Sequence, residues 1–502
     1  SAESYSTISP SLGAKSLEVM VLAGIIAFAL VAVMMIVRYR LPGTIATISL
    51  FGQVAATLAV VSGYFTVFPG STLTLPGIAG IILGIGMGVD ANVITAERIK
   101  EELAKNKTLP AAVKSGFKMG LTPIIDGNVT IVIVAAILMG AFGPTDGFWA
   151  KVFNPIFYWF GPSTAGTIYS FGFTLLTSVL LNFVFGVWAT RVMIRGAVHF
   201  KPLRKAWLFG GKKEGGADFK TPSINFIGNR KKFYTFSCAL IAVVLVFCGI
   251  FGVKMDVEFK GGSMITLAYE GDADLNDLKS TIGTELGKSN LTLQTGSDIS
   301  GNQTLTVTLP GSDTLTTEQL DNLLAALNEQ YPDNKFVQNE VSNVDATIGK
   351  EFLLKSVVAL VAACVLILLY VAYRFRKIGG LKAGSTAIVA LLHDMFVVFG
   401  VFVLLRIPLN GNFIAALLTI LGYSINDTVV IYDRIRENSA LYGKKQMSLA
   451  ELVNLSVNQS FARSLMTSIT TCLALGVVCV VSVIYRLDSI YSFAFPLLFG
   501  MV

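Results

Sequence analysis

Charged and metal-binding side chains are scarce in this sequence of 502 residues. Only 14% of the residues are charged and 53% are apolar, whereas ordinary soluble domains carry about 25% charged residues. Two histidines are too few for the multi-histidine sites of metal enzymes, and the five cysteines all lie in apolar runs without a Cys-x-x-Cys pair. These absences argue against zinc chemistry, a disulfide framework and an ordinary soluble enzyme.

Signatures of catalysis are missing as well. The sequence contains no GxxxxGK[ST] nucleotide loop, so we do not expect ATP to drive the protein directly. We also find no convincing pair of nucleophile and general base. The sequence therefore predicts neither an enzyme nor a bound cofactor or metal.

Long apolar runs dominate the chain instead. A helix needs about 20 predominantly apolar residues to cross the hydrocarbon core of a bilayer. Eleven segments approach or reach this length, and the last stops after 14 residues: 17–37, 44–66, 76–96, 119–141, 168–190, 233–253, 353–373, 383–405, 411–432, 462–485 and 489–502. They predict a polytopic α-helical membrane protein.

The positions of the charges predict the orientation. Residues 97–118 carry six basic and three acidic side chains, and residues 191–232 carry eleven basic and two acidic. Loops rich in Lys and Arg stay in the cytoplasm. Residues 255–345 have the opposite bias, with 15 acidic and four basic side chains, and are expected to be extracytoplasmic. The net charge of +7 thus reflects topology, and nucleic acid is not an expected partner.

The acidic segment has a predictable order of elements. Strands and helices are expected in the order β-α-β-β-α-β, which is the ferredoxin-like pattern: Val257–Tyr269, Asp274–Lys288, Leu291–Thr295, Thr304–Leu309, Thr317–Tyr331 and Phe336–Val344. This small α+β fold serves many functions and identifies none.

An internal repeat relates the two halves of the chain. At a constant offset of 336 residues, Gly13 aligns with Gly349, Arg38-Tyr39-Arg40 with Arg374-Phe375-Arg376, and the run 97–101 with 433–437. Both copies have the same orientation, so the sequence predicts two pseudo-symmetric helix bundles. Transporters with parallel repeats place their working site between the halves.

The repeat also divides the chain into expected domains. They are a first transmembrane half at 1–195, a basic cytoplasmic linker at 196–232, the first span of the second half at 233–254, the extracytoplasmic domain at 255–345, and the rest of the second half at 346–502. The second copy has a span and an outer domain before Gly349, but the first copy has only Ser1–Leu12 before Gly13. We therefore expect a parent protein of twelve spans, of which eleven are visible here.

The acidic residues Asp90 and Asp427 lie inside predicted spans, where each ionisable side chain costs about 2.5–3.5 kcal/mol on insertion scales. Asp90 precedes Arg98 by eight residues, which places it about 12 Å into the membrane. Asp427 lies in the equivalent helix, one position after Asn426, the repeat partner of Asp90. Two acids on equivalent helices suit a proton relay, although structural hydrogen bonding is the alternative.

Other polar residues in the spans are further candidates. Arg463 lies at the inner start of a predicted span, where it either extends to the interface or faces the two acids. A secondary relay and a purely structural role are both open for the remaining candidates, which are Asn92, Asp126, His393, Asp394 and Asn426.

Two motifs carry a family resemblance. GIGMGVDANVITAERIKEEL at 84–103 resembles the fourth-helix motif of SecD, and GYSINDTVVIYDRIREN at 422–438 resembles the matching motif of SecF. Further support comes from SPSLGAKS (9–16), FKGGS (259–263), LLHDMFVVFG (391–400) and NQSFARSLMTSITT (458–471). Because these motifs occur in order along nearly the whole chain, the sequence is similar to fused SecD and SecF halves, members of the resistance-nodulation-division superfamily.

The resemblance implies a function and a set of partners. It implies an accessory subunit of the Sec translocon in the bacterial cytoplasmic (inner) membrane, which uses the proton motive force to assist preprotein translocation and release. Its expected partners are the channel subunits, an unfolded preprotein and a membrane insertase. It assigns the proton relay to Asp90, Asp427 and Arg463, with protons as the coupling ion. The chain departs from the family in carrying Glu258 where Asp is usual, and in lacking the first SecD helix and its large outer domain.

Two alternatives remain open from the sequence. A proton-coupled exporter of small molecules or lipids belongs to the same superfamily, but it would need two large outer domains with a substrate pocket. A scaffold that binds the translocon without conducting protons is the other alternative. Export that persists after charge-neutralising substitutions would favour the scaffold.

Overall fold

The computed structural model describes residues 5–8, 10–65, 73–161, 166–211, 222–271, 274–288, 291–297, 303–310 and 315–501. The middle of the predicted linker, 212–221, lies outside the described residues, as do the last residues of the predicted spans 44–66 and 489–502. So does part of the Ser1–Leu12 segment.

The apolar runs of the first half form long helices. They follow a short strand, and the elements are β1 (Tyr5–Ile8), α1 (Pro10–Tyr39), α2 (Leu41–Val61), α3 (Leu75–Ala104), α4 (Leu109–Phe142), α5 (Phe148–Phe157), α6 (Gly166–Asn182), a π-helical segment (Phe183–Ala189) and α7 (Thr190–His199). Several helices extend beyond the predicted spans, because hydropathy marks only the apolar part of a helix. For example, α3 continues eight residues past the predicted end at 96.

A small α+β domain follows the first helix of the second half. That first helix is α8 (Arg230–Phe251). The elements of the domain are α9 (Val257–Lys260), β2 (Gly262–Tyr269), α10 (Leu275–Glu285), β3 (Thr292–Ser297), β4 (Gln303–Pro310), α11 (Thr317–Gln330) and β5 (Val337–Val344). The sheet order is β1-β5-β2-β4-β3, and all neighbours are antiparallel. The predicted ferredoxin-like order is therefore present.

Two features of this domain differ from the prediction. Residues 257–260 form a helical turn and not the start of a strand, because Asp256 caps the turn and Gly261 and Gly262 adopt positive φ angles of 77° and 133°. The sheet also gains a fifth strand, since β1 pairs with β5 from Tyr5↔Asn343 to Ile8↔Glu340. The start of the first half is thereby joined to the domain of the second half.

The second half repeats the helical pattern of the first. Its remaining helices are α12 (Ala346–Arg374), α13 (Gly380–Leu404), α14 (Gly411–Gln446), α15 (Leu449–Ile484) and α16 (Asp488–Gly500). Within the described residues, ten helices are long and apolar enough to span a bilayer, and Ile490–Gly500 is an eleventh, shorter apolar helix. Each predicted span coincides with one of them, so the chain is a multi-pass helical membrane protein.

The two halves interlock through their central helices. Helix α15 of the second half packs against α1 and α3 of the first, and α14 packs against α4. Apolar side chains are exposed on peripheral helices such as α8, where Ile250 is 68% exposed, as expected for a surface that faces lipid. By contrast, the seam between the halves contains buried polar residues, Asp90, Asn426 and Arg463 among them. These residues define the candidate site.

Candidate functional site

Asp90 lies at the seam and forms an ion pair with the other half of the protein. Its side chain projects from α3 and is only 11% exposed, while that of Arg463 on α15 is 7% exposed. Nη2 of Arg463 lies 3.2 Å from both Oδ1 and Oδ2 of Asp90. Removing two charges from water is costly, and a buried pair is tolerated only when further hydrogen bonds satisfy the carboxylate.

Two neutral side chains supply those hydrogen bonds. Oγ1 of Thr467 donates to Oδ1 of Asp90 across 2.8 Å, and Nδ2 of Asn426 donates to Oδ2 across 2.9 Å. Both donors belong to the second half, whereas Asp90 belongs to the first. The carboxylate is therefore held by α14 and α15 together.

Arg463 lies in the interior of its helix, which begins well before the apolar run that starts at 462. Helix α15 begins at Leu449, where Ser448 and Glu451 form a capping box, so Arg463 lies fourteen residues inside it. Among the described residues, its Nε and Nη1 atoms are buried without a hydrogen-bond partner. A cavity of about 30 Å³ adjoins Arg463, which is room for about two water molecules.

Asp427 stands apart from this cluster. It follows Asn426 on α14, and within the described part of the chain its Oδ1 is buried without a hydrogen-bond partner. The structure therefore brings together Asp90, Arg463 and Asn426, but it places Asp427 beside them without a direct hydrogen bond to Arg463 or Asp90.

The remaining predicted residues belong to separate polar contacts. Asp126 accepts from Nε of Arg374 at 2.7 Å and from the Tyr370 hydroxyl at 3.1 Å. Nδ1 of His393 lies 3.1 Å from Oδ1 of Asp394, whose Oδ2 accepts from the Ser424 hydroxyl at 2.5 Å.

Asn92 turns back onto its own helix. Its Nδ2 donates to the carbonyl of Gly88, one turn away, across 3.3 Å. None of the contacts described for Asn92, Asp126, His393 and Asp394 reaches Asp90 or Arg463, so these residues do not belong to the Asp90 cluster.

Two residues of the site were not predicted. Thr467 follows Arg463 by four positions, a spacing that places both side chains on one face of a helix. The polar character of that face could therefore have indicated Thr467 as a site residue. Gly127 on α4 packs so closely on Asn426 that an added Cβ would overlap its Oδ1. That close approach depends on tertiary packing and leaves no local signal.

Reciprocal ion pairs join the halves at the end of the helices that carries the basic loops. Arg98 donates to Glu437 at 3.0 Å, and Arg434 donates to Glu101 at 2.8 Å. Arg98 and Arg434 are equivalent in the repeat, as are Glu101 and Glu437. We call these four residues the clasp. The 30 Å³ cavity is lined by Arg98, Glu101 and Arg434 as well as by Arg463, so it lies between the clasp and the Asp90 cluster.

No metal site accompanies these polar groups in the described segments. No set of three or more His, Cys, Asp or Glu side chains there is arranged to hold an ion. The groups of the Asp90 cluster are a carboxylate, which can bind a proton, and a guanidinium, with which it forms an ion pair.

Comparison with known proteins identifies the family. The family model described as protein export membrane protein SecD/SecF, C-terminal, matches residues 1–150 and 324–502. The chain belongs to this SecD/SecF family. Protein translocase subunit SecDF of Bacillus subtilis is 31% identical over 515 residues, an alignment that covers all of this chain and 64% of the relative.

One further relative matches about half of this chain, and one solved structure matches nearly all of it. Protein translocase subunit SecF of Calditerrivibrio nitroreducens is 32% identical over 281 residues, covering 56% of this chain and 88% of that protein. The crystal structure of SecDF, a translocon-associated membrane protein, from Thermus thermophilus matches with a TM-score of 0.77 and 29% identity, over 99% of this chain and 62% of that chain. The chain thus spans just under two thirds of the Bacillus protein and of the Thermus structure, and the predicted resemblance to fused SecD and SecF halves is confirmed.

Proposed function

We propose that this chain is an accessory subunit of the Sec translocon that uses the proton motive force to assist preprotein translocation and release. The proposal places it in the bacterial cytoplasmic membrane, with the clasp at the cytoplasmic face and the α+β domain outside. The observation that carries it is the buried Asp90–Arg463 pair, whose hydrogen bonds cross the seam between the halves. Support comes from relatives named as translocase subunits and as translocon-associated.

The proposed cycle begins with protonation of Asp90 from the outer side. A proton that binds a carboxylate oxygen removes the negative charge facing Arg463, and the guanidinium keeps its own charge. The ion pair is lost, so the two halves are free to change their relative position. Asp427 is the second proposed proton acceptor, because it lies one residue after the amide that contacts Asp90. Release of the proton to the cytoplasm restores the pair.

The free energy of one proton is adequate for this cycle. Moving one elementary charge across 100 mV releases about 2.3 kcal/mol. A gap of a few kcal/mol separates the conformations of a typical two-state protein. One or two protons therefore suffice to bias such an equilibrium.

A direct connection links the membrane bundle to the α+β domain. Oε2 of Glu258 accepts a hydrogen bond of 2.6 Å from the backbone N–H of Gly411, at the first residue of α14. The chain just before α9 also pairs with the chain just before α14, since Met255 bridges to Leu409. Helix α14 carries Asn426 farther along, so a movement of this helix at the Asp90 cluster is expected to reach the domain.

The proposed partners are those that the family resemblance implies. The channel subunits of the translocon would lie beside the bundle, an unfolded preprotein would contact the outer domain, and a membrane insertase is a third proposed partner. A coupled domain would hold or pull the emerging chain as the halves move.

Translocation into inverted membrane vesicles tests the proposal. The vesicles contain the translocon and this protein, and preprotein uptake is compared with and without a proton gradient. We expect the gradient to stimulate uptake, and Asp90→Asn to abolish that stimulation, whereas Asp321→Asn, at an exposed position of α11, retains it. Stimulation that survives Asp90→Asn would favour the scaffold alternative.

A further inference from the structure

A large basic cavity opens at the clasp end of the bundle. It has a volume of about 700 Å³ and lies between α4, α12 and α14, within the range of about 300–1,000 Å³ that is typical of ligand pockets. Four cationic side chains line it, Arg374, Arg376, Lys377 and Arg436, against two acidic ones.

A second basic cavity occurs in the first half. It has a volume of about 460 Å³ and lies between α1, α3 and the segment around Gly210. The cationic lining residues are Arg38, Arg40 and Lys100, and none of the lining residues is acidic.

The internal repeat relates the two cavities. Six of the cationic lining residues form three pairs, and the members of each pair are 336 positions apart in the sequence. The pairs are Arg38 and Arg374, Arg40 and Arg376, and Lys100 and Arg436, with one member in each cavity. The same cationic arrangement therefore occurs once in each half, although the surrounding sequences differ. This recurrence is unexpected for incidental gaps between helices.

Each cavity is also closed by a residue of the opposite half. Met466 of α15 lines the first-half cavity, and Met119 and Thr122 of α4 line the second-half cavity. Both cavities therefore lie on the seam, and a change in the relative position of the halves would change their shape.

The cationic groups are of two kinds: inner groups, which pair with carboxylates, and outer groups, which lie over aromatic rings. Arg38, Arg374 and Arg436 are engaged with the carboxylates of Glu97, Asp126 and Asp433, respectively. At the outer edge, the guanidinium of Arg376 lies over the Tyr373 ring at 5.6 Å, and that of Arg40 lies over the Trp207 ring at 5.3 Å. The outer guanidiniums are stacked on aromatic rings and are not neutralised by the carboxylates that hold the inner ones.

One exposed side chain with an apolar surface lies at the edge of each cavity. Val37 is 75% exposed and Tyr373 is 73% exposed, and each lines its cavity at equivalent repeat positions. An anionic group in the cavity would therefore have an apolar surface beside it. Basic pockets at the membrane boundary of helices are suited to phospholipid headgroups.

We propose that each cavity binds the phosphate of one anionic phospholipid, with the acyl chains lying along the surface at Val37 or Tyr373. The lipid phosphate occupies the space between the outer guanidinium and the neighbouring basic residue, which is Lys377 in the second half and Lys100 in the first. Because each pocket includes both halves, a bound lipid bridges the seam. The proposal that these cavities bind lipid does not rest on the proposed role in proton transport.

Native mass spectrometry of the full chain with dioleoylphosphatidylglycerol tests the proposal. We expect two tightly bound lipids, of which the variant Arg376→Gln/Lys377→Gln loses one and Arg40→Gln/Lys100→Gln loses the other. The affinity of each altered site should fall roughly thirtyfold for two lost charges. The matched control, Lys231→Gln/Lys232→Gln, removes two exposed charges at the basic end of α8 and should retain both lipids.

Three results would overturn the proposal. Equal loss of lipid in the control variant would mean unspecific charge attraction. Equal retention of dioleoylphosphatidylcholine, whose phosphate charge is balanced by its choline group, would mean that the net negative charge of the lipid is not recognised. Inorganic phosphate that binds as tightly as the lipid would identify the free ion as the ligand. Thermal unfolding of each variant accompanies the titration, and a variant that unfolds early is replaced by the single substitution Lys377→Gln or Lys100→Gln.

Discussion

Asn426 donates a hydrogen bond to Asp90, and the two residues are 336 positions apart, which is the offset of the internal repeat. Equivalent residues of the two halves therefore meet at the seam, but one is an acid and the other an amide. The symmetry of the fold places them in contact, and the difference between them leaves a single ionisable group in the pair. Asp90 is the member of this pair that forms the ion pair with Arg463.

Removal of the Thr467 hydroxyl is expected to impair proton conduction. Hydrogen bonds to charged groups contribute about 1.5–3 kcal/mol, so Thr467→Val should reduce proton flux in reconstituted vesicles by roughly tenfold or more. Thr470→Val is the matched control, because the Thr470 hydroxyl donates only to backbone carbonyls of its own helix. Equal flux in the two variants would contradict the assigned role of Thr467.

The close packing at Gly127 is expected to matter for the site. Gly127→Ala places a Cβ against Asn426, so we expect a lower midpoint of thermal unfolding and reduced proton flux. Gly120→Ala lies on the same helix, where a Cβ would meet Ile94 at an ordinary 3.4 Å. That control should be neutral or slightly stabilising, since Ala favours helix over Gly by about 1 kcal/mol. The account of this contact fails if both variants behave alike.

The clasp should show energetic coupling across the seam. Arg98→Gln, Glu437→Gln and the double variant form a double-mutant cycle, and we expect a coupling of about 1 kcal/mol or more because the pair is largely buried. Lys335 and Glu270 form an exposed pair in the α+β domain, and the same cycle there should give less than about 0.5 kcal/mol. The cycles are measured by chemical unfolding in detergent. Equal coupling in the two pairs would show that the clasp is an ordinary surface contact.

Glu258 is expected to make the junction with the domain sensitive to pH. Burial raises the pKa of Glu258 to about 7 from its ordinary value of 4.5, Asp256 and Glu340 reinforce the shift, and the Gly411 N–H opposes it. The unfolded chain loses this proton at lower pH than the folded chain, so the stability contributed by the group falls as pH rises from about 4.5 to 7. The full effect is on the order of 3 kcal/mol.

The substitution Glu258→Gln isolates this effect. The variant should unfold at a higher temperature than the parent at pH 8, where the parent carries a buried charge, and the difference should shrink towards pH 5. Glu329→Gln, at an exposed position of α11, should follow the parent at both pH values. A difference that does not change with pH would mean that the surroundings of Glu258 do not raise its pKa.

Much of this architecture was predictable from the sequence because its signals are local or repeated. Apolar runs marked every spanning helix, turn residues and alternation gave the order of the α+β domain, and the repeat paired Asp90 with Asn426. Composition alone could not show that Arg463 contacts Asp90. The apolar run that predicts the span begins beside Arg463, whereas the helix begins fourteen residues earlier, after the capping box at Ser448.

The features that were missed depend on contacts between distant residues. Strand β1 has four residues and pairs with a strand more than 330 positions away. It is too short for an alternation of polar and apolar residues to predict it. The turn at 257–260 interrupts what looked like a continuous strand, because two glycines with positive φ follow it. Gly127 is required only because Asn426 lies against it, which a single sequence cannot reveal.

Proton flux into vesicles that contain only this protein tests the central claim most directly. An imposed pH gradient and membrane potential should drive uptake through the unmodified protein, as reported by a pH-sensitive dye inside the vesicle. Asp90→Asn removes the group that binds the proton but preserves its size, so we expect flux to fall to the level of empty vesicles, while Asp321→Asn retains it. Undiminished flux through folded Asp90→Asn would contradict the account.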